Sequence, residues 1–96
     1  MKIVLKPHLK IRLKGRLIPS NYPNKIISQP DYQYFDTATH HLIVVKKLKY
    51  VGKLRSMVVV YDIIGEAIEV VTIYPTDEQE IKNRIKNKRW IKNEKI

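Results

Sequence analysis

Met57-Val58-Val59-Val60-Tyr61-Asp62, then Ile63-Ile64-Gly65-Glu66, then Ala67-Ile68-Glu69-Val70-Val71-Thr72-Ile73-Tyr74: this run decides the fold. β-branched and aromatic residues fill both arms, and a short segment containing Gly65 joins them, which is the pattern of a β-hairpin. Apolar side chains occupy odd and even positions alike, so each arm is expected to cover apolar neighbours on both faces. Strands of that kind belong in the interior of a sheet. Most of these residues therefore build the core, and function is to be sought in what packs against them.

Working outward, the segments before the hairpin read as further strands. Tyr32 to Asp36 and His41 to Leu48 are short β-prone runs separated by Thr37-Ala38-Thr39-His40, and Tyr50-Val51-Gly52-Lys53 turns the chain into Leu54 to Asp62. Consecutive strands with short loops predict a four-stranded antiparallel meander. After it, Thr76 followed three residues later by Gln79 has the form of a capping box opening a C-terminal helix. Asp77, Glu78 and Glu80 suit the positive end of that helix, and Lys86, Lys88 and Arg89 its negative end. Ile81 and Ile85 give it a narrow apolar seam. Trp90-Ile91 is left as an exposed anchor for a protein partner or as a segment docking on the sheet, and residues 92–96 read as a basic tail.

The first thirty residues permit two readings. Leu9-Lys10-Ile11-Arg12-Leu13-Lys14 alternates as a strand with one basic face would. Leu9, Leu13 and Leu17 also recur every four residues, with His8, Arg12 and Arg16 beside them as a second helical stripe. Pro7 suits a first helical turn and Gly15 a stop. Ser20 or Asn21 can cap a short helix that ends before Pro30-Asp31.

Nineteen Lys and Arg stand against nine Asp and Glu, a net charge of +10 on 96 residues. The first twenty residues hold six cations and no acid, the last twenty-one hold seven cations and four acids, and the stretch between holds six and five. Segregated positive charge is the footprint of a polyanion partner, nucleic acid above all. The length sets a single domain. No apolar run approaches the roughly 20 residues needed to cross a bilayer, so a cytoplasmic protein without membrane contact is expected. Cysteine is absent, and no His or Cys cluster with metal-ligand spacing occurs. His40 and His41 are adjacent on a turn or strand, where side chains point apart, so neither a metal nor another cofactor is expected.

The one pair suited to chemistry is His8 with Arg12, which share a face if the segment is helical. Metal-free cleavage of a phosphodiester needs a base for the attacking hydroxyl, an acid for the leaving oxygen and fixed cations around the phosphorane. Histidine, arginine, lysine and tyrosine can supply all three.

Pro7-His8-x-x-x-Arg12-x-x-x-Arg16, Leu17-Ile18-Pro19-Ser20, a helix ending at Pro30-Asp31, a meander, Val70-Val71-Thr72-Ile73-Tyr74 and a closing basic helix together resemble a family of small uncharacterised domains. Their pattern runs H-A-x-x-R-M-x-x-R-G-I-S and, later, V-V-T-V-Y, and they look like the RelE/ParE-type toxin superfamily. Leu9 replaces the family's alanine, and the glycine after the last arginine instead precedes it as Gly15. The resemblance implies an α+β fold over residues 1–91, with an N-terminal helical hairpin, the four-stranded meander and a C-terminal helix. It also implies a toxin-like, metal-independent endoribonuclease acting on mRNA or other RNA. His8, Arg12 and Tyr74 would be catalytic, Thr72 a family-matched position, and Lys10, Lys14, Arg16, Lys47 and Arg89 RNA-binding. Implied partners are RNA, on or off the ribosome, and an acidic antitoxin; an oligomer is compatible with the sequence. The alternatives are a non-catalytic basic nucleic-acid-binding module and a ParE-like protein that inhibits a partner enzyme by contact.

Overall fold

The computed structural model describes residues 2–93. In chain order the elements are β1 (Lys2–Leu5), α1 (Pro7–Gly15), α2 (Tyr22–Ser28), β2 (Tyr32–Asp36), β3 (Leu42–Tyr50), β4 (Lys53–Ile64), β5 (Ala67–Thr76), α3 (Glu78–Lys86) and β6 (Trp90–Lys92). They form one six-stranded sheet in the order β1-β5-β4-β3-β2-β6. β1 runs parallel to β5, and every other neighbouring pair is antiparallel.

The expected helix–sheet architecture is present, and the expected meander is its centre, but the sheet is larger and mixed. β1 and β6 add an edge on each side. Neither announces itself by a local turn: Lys2 pairs with Ala67 and Phe35 with Ile91, so both partners lie far away in sequence. Trp90-Ile91 is accordingly a strand rather than a free anchor. Trp90 is 3% exposed and packs with Tyr34, while Ile91 stays half open. Lys92, the first residue of the expected tail, belongs to β6, and residues 94–96 of that tail lie outside the described ones.

The central hairpin does what its composition requires. Met57, Val59 and Tyr61 of β4 point into one cluster with Leu9, Leu13, Ile18 and Ile26, beneath α1 and α2. Val58 and Val60 point the other way, into a cluster with Tyr34, Ile43, Val45, Ile81 and Trp90 beneath α3. Strand side chains alternate between faces, so a strand with apolar residues at every position can serve two cores at once. A β-bulge at Val71, between the pairs Val60–Thr72 and Tyr61–Val70, inserts one residue into β5 and lets Val70 and Ile73 face the same cluster.

The ambiguous N-terminal segment is a short strand followed by a helix. Pro7 occupies the first helical turn, where its missing N–H costs nothing. Leu9 and Leu13 are buried against the sheet, so the four-residue repeat prevails over the alternation. Gly15 is the last helical residue, and the left-handed position falls two residues on, at Leu17 with φ 57°. There Ile18 N–H donates to the Leu13 carbonyl and Leu17 N–H to that of Lys14, a Schellman ending sealed by burial of Leu13 and Ile18. α3 ends in the same way at Lys88, φ 58°, with Arg89 N–H donating to the Arg84 carbonyl. Its start differs from the expected capping box by one residue. Asp77 is the N-cap, its carboxylate accepting from Glu80 N–H at 2.8 Å, while Thr76 ends β5.

Candidate functional site: the outer face of α1 and the α3 side of the sheet

The inward turn of Leu9 and Leu13 fixes what α1 shows to solvent. His8, Lys10, Ile11, Arg12, Lys14 and Gly15 are all exposed. His8 and Arg12 sit one turn apart on one flank of the helix, as the spacing predicts. Among the described residues, no acidic side chain pairs with Lys10, Arg12 or Lys14. Five of the described acids are engaged elsewhere: Glu69 with Lys6 at 3.0 Å, Asp31 with Lys46 at 3.6 Å, Glu78 with Lys47 at 3.1 Å, Glu80 with Arg84 at 3.6 Å and Asp36 with Arg89 at 2.8 Å. The outer face of α1 is thus a concentrated uncompensated charge. Ile11 and Leu17, 71% and 77% exposed, interrupt it with aliphatic surface.

Arg16 does not extend the row into solvent in the same sense. Its Nη1 donates to the Ile73 carbonyl at 3.2 Å, on the stretch of β5 beyond the part that β1 covers, and its own carbonyl accepts from Tyr50 Oη at 2.7 Å. It ties the end of α1 to the sheet.

Tyr74 is not brought to His8 and Arg12. It packs against the cluster beneath α3, on the face of the sheet opposite α1. Burial there pushes its phenol above the ordinary value, with Arg84, Glu80, Asp36 and Arg89 as its charged surroundings. Thr72 pairs with Val60, which also faces α3. Lys47 and Arg89 belong to that side as well, and both are compensated. The hydrogen bond and charge of Lys47 lower the Glu78 carboxyl, and Asp36 raises the Arg89 guanidinium.

Two arrangements on the α3 side escape a reading of the sequence. The first is a histidine–aspartate pair. His41 Nδ1 lies 2.6 Å from Asp62 Oδ1, with both side chains about one-third exposed, so Nε2 is left facing away from Asp62. Charged groups crowd the same row of the sheet. Asp36 N–H donates to the His41 carbonyl, and Asp62 pairs in register with Glu69. The signal was available by counting, because a two-residue turn at Val51-Gly52 puts Tyr50 opposite Lys53 and, nine steps on, His41 opposite Asp62. His40, by contrast, turns away onto Phe35, with ring centroids 5.8 Å apart. The second arrangement is a column of aromatic rings, in which Tyr34 lies 6.4 Å from Tyr32 and 5.5 Å from Trp90 between centroids.

Asp36 holds β6 in place, as the register partner of Trp90 and the ion-pair partner of Arg89. Its carboxylate accepts from Ala38 N–H at 2.9 Å, Thr39 N–H at 3.2 Å and Arg89 Nε at 2.8 Å. Thr37 Oγ1 donates to the Lys88 carbonyl, and Thr37 N–H to that of Arg89. Burial alone would raise the Asp36 carboxyl, but the Arg89 and backbone hydrogen bonds outweigh it and hold it at about 2.

Among the described residues no three His, Asp or Glu side chains converge as a metal site, and no helix is long and apolar enough to cross a membrane. Set against protein-family models, curated proteins and solved structures, the chain has no match in any of the three comparisons.

Proposed function

We propose that this protein binds RNA through the outer face of α1 and, like the RelE/ParE-type toxins its sequence resembles, cleaves the bound strand without a metal. The observation that carries the reading is the uncompensated charge of Lys10, Arg12 and Lys14 on a helix whose other side is locked into the core. A phosphodiester backbone supplies the missing anions, and condensed counterions released on binding supply the driving force. Within that face His8 serves as the acid or base, and Arg12, one turn away, holds the phosphate and its transition state. Tyr74 has no part in this arrangement.

A second location for the proton transfer is favoured by one contact, that of His41 with Asp62. Asp62 fixes the imidazole and leaves Nε2 to act, whereas His8 has no such orienting partner among the described residues. Asp36, Asp62 and Glu69 along that row oppose a polyanion, which ranks this location behind α1.

Two measurements test the proposal. Three phosphates neutralised on a single strand give a salt slope of about −2, or roughly a 16-fold loss of affinity between 50 and 200 mM salt. Lys10, Arg12 and Lys14 changed together to Gln should abolish that slope, and a wild-type affinity indifferent to salt would remove the nucleic-acid reading. His8→Ala should then abolish RNA cleavage, or growth arrest on expression, while leaving binding nearly intact. If His41→Ala abolishes it instead, the second location is correct. If neither changes anything, the protein binds RNA without cleaving it at these groups.

A further inference from the structure

β1 covers only the first part of β5. Their register ends with Leu5 against Val70, while β5 continues to Thr76. Among the described residues, no strand pairs with the outer side of β5 beyond that point. Pro75 tells which backbone groups lie there. Proline has no N–H to give to a ladder, so it fits β5 where that group would point away from β4. Residues two apart on an antiparallel strand aim their N–H and C=O the same way, so Ile73 also turns both toward the outer side. The Ile73 carbonyl is accordingly the one that accepts from Arg16 Nη1, at 3.2 Å.

That open stretch is well suited to pairing. Val71-Thr72-Ile73-Tyr74 is β-branched or aromatic throughout, and no charged residue occurs from Val70 to Thr76. An uncharged, β-prone strand with a free edge is a template for another chain. A second copy of this chain carries the matching edge. Laid antiparallel about a two-fold axis, the two strands would set Ile73 opposite Ile73 and exchange both hydrogen bonds. Two residues oppose this. Pro75 withholds an N–H, and Arg16 occupies the Ile73 carbonyl that the second copy would need. The same axis would also bring two Arg16 guanidinium groups together, like charge against like. Arg16 is held at its post by the end of α1, where its N–H donates to the Arg12 carbonyl at 2.9 Å and its carbonyl accepts from Tyr50 Oη at 2.7 Å.

We propose that Arg16 guards the open edge of β5: it keeps the Ile73 backbone from pairing with the same strand of a second copy of this chain. The role is independent of RNA. It accounts for the turn of Arg16 onto the strand, away from the solvent-facing course of His8 and Arg12 on the same helix. The guard works from outside the strand, so β5 itself can keep the apolar residues that the core takes from it, Val70 and Ile73.

Sedimentation equilibrium of the full chain tests the guard. Arg16→Ala frees the Ile73 carbonyl in both members of a pair. It should associate at least about tenfold more tightly than the wild type, a lower bound for two released hydrogen bonds from a charged donor. Adding Pro75→Val returns an N–H to the edge and should tighten association further. Tyr50→Phe removes the other tie at the end of α1 but leaves Arg16 on Ile73, so it should sediment as the wild type does. Amide hydrogen exchange locates the contact, because in Arg16→Ala the Ile73 N–H should exchange more slowly as protein concentration rises. Arg16→Ala sedimenting as the wild type overturns the proposal. So does Tyr50→Phe associating as strongly as Arg16→Ala, since a loosened helix end would then be the cause. Association without slower exchange at Ile73 overturns it by placing the contact elsewhere. An Arg16→Ala protein that fails to fold overturns it too, because Arg16 would then be a tie that holds the fold and no guard.

Discussion

Asp36 ties β2 to the α3–β6 connection, and its acid response can be worked out from the structure. The carboxyl sits at about 2 in the folded protein against an ordinary 3.8. Because the folded value is the lower one, the stabilising contribution is fully present above about pH 5. It is lost as the pH falls through 3.8 and on toward 2. At 1.36 kcal/mol per pH unit, the difference amounts to roughly 2 kcal/mol by pH 2. The side chain is only 6% exposed, so solvent screening takes little from that figure. The perturbation is Asp36→Asn, which keeps the shape and removes the titration. Urea unfolding followed through Trp90, the only tryptophan and the register partner of Asp36, measures stability from pH 7 to pH 2 in both proteins. Other carboxylates titrate alike in the two and cancel in the difference. The wild type should lose about 2 kcal/mol more than the variant over that range. Parallel curves would refute the reasoning, because Asp36 would then gain nothing from Arg89 and the backbone amides.

Trp90→Ala should cost the isolated protein about 3–5 kcal/mol, the range for truncating a buried aromatic, and a loss under 1 kcal/mol by urea unfolding would return Trp90 to the surface. Val51 and Gly52 both have positive φ, 49° and 81°, in the two-residue turn between β3 and β4. A β-branched residue is strained there, so Val51→Asn should raise stability by about 1 kcal/mol, seen as a higher urea midpoint at unchanged slope; an unchanged or lower midpoint would show that the turn carries no such strain.

The parts of the fold legible in the sequence were those with local causes. The doubled apolar pattern of Met57 to Tyr61 foretold a strand between two cores, while Leu9 and Leu13 offered a helix seam beside an alternating strand pattern that local sequence could not rank against it. β1 and β6 escaped because their pairing is decided by residues about sixty positions away, which no local pattern records. Thr76 mimicked a cap because threonine and aspartate stand side by side, and the backbone chose the second. The candidate site divides in the same manner. His8 and Arg12 share a flank because helix geometry alone guarantees it. Tyr74 went to the other face because a strand's two faces are indistinguishable until the helices that cover them are known. Lys47 and Arg89 looked like free cations in the sequence, since only the folded sheet brings Glu78 and Asp36 to them.

The edge strands also set an order of events during synthesis. β1 emerges from the ribosome first, yet Ala67, the partner of Lys2, follows 65 residues later. At cellular elongation rates that is a delay on the order of several seconds, far longer than a hairpin needs to form. Ile3, Val4 and Leu5 must wait through it as an unpaired, aggregation-prone strand, and the lysines at positions 2 and 6 that bracket them act as gatekeepers against pairing with another chain. β2, β3, β4 and β5 meanwhile close one after another as hairpins. Among the joints of the described sheet the parallel β1 one has the longest wait for its second strand, and it is where chains on neighbouring ribosomes are most exposed to exchanging strands.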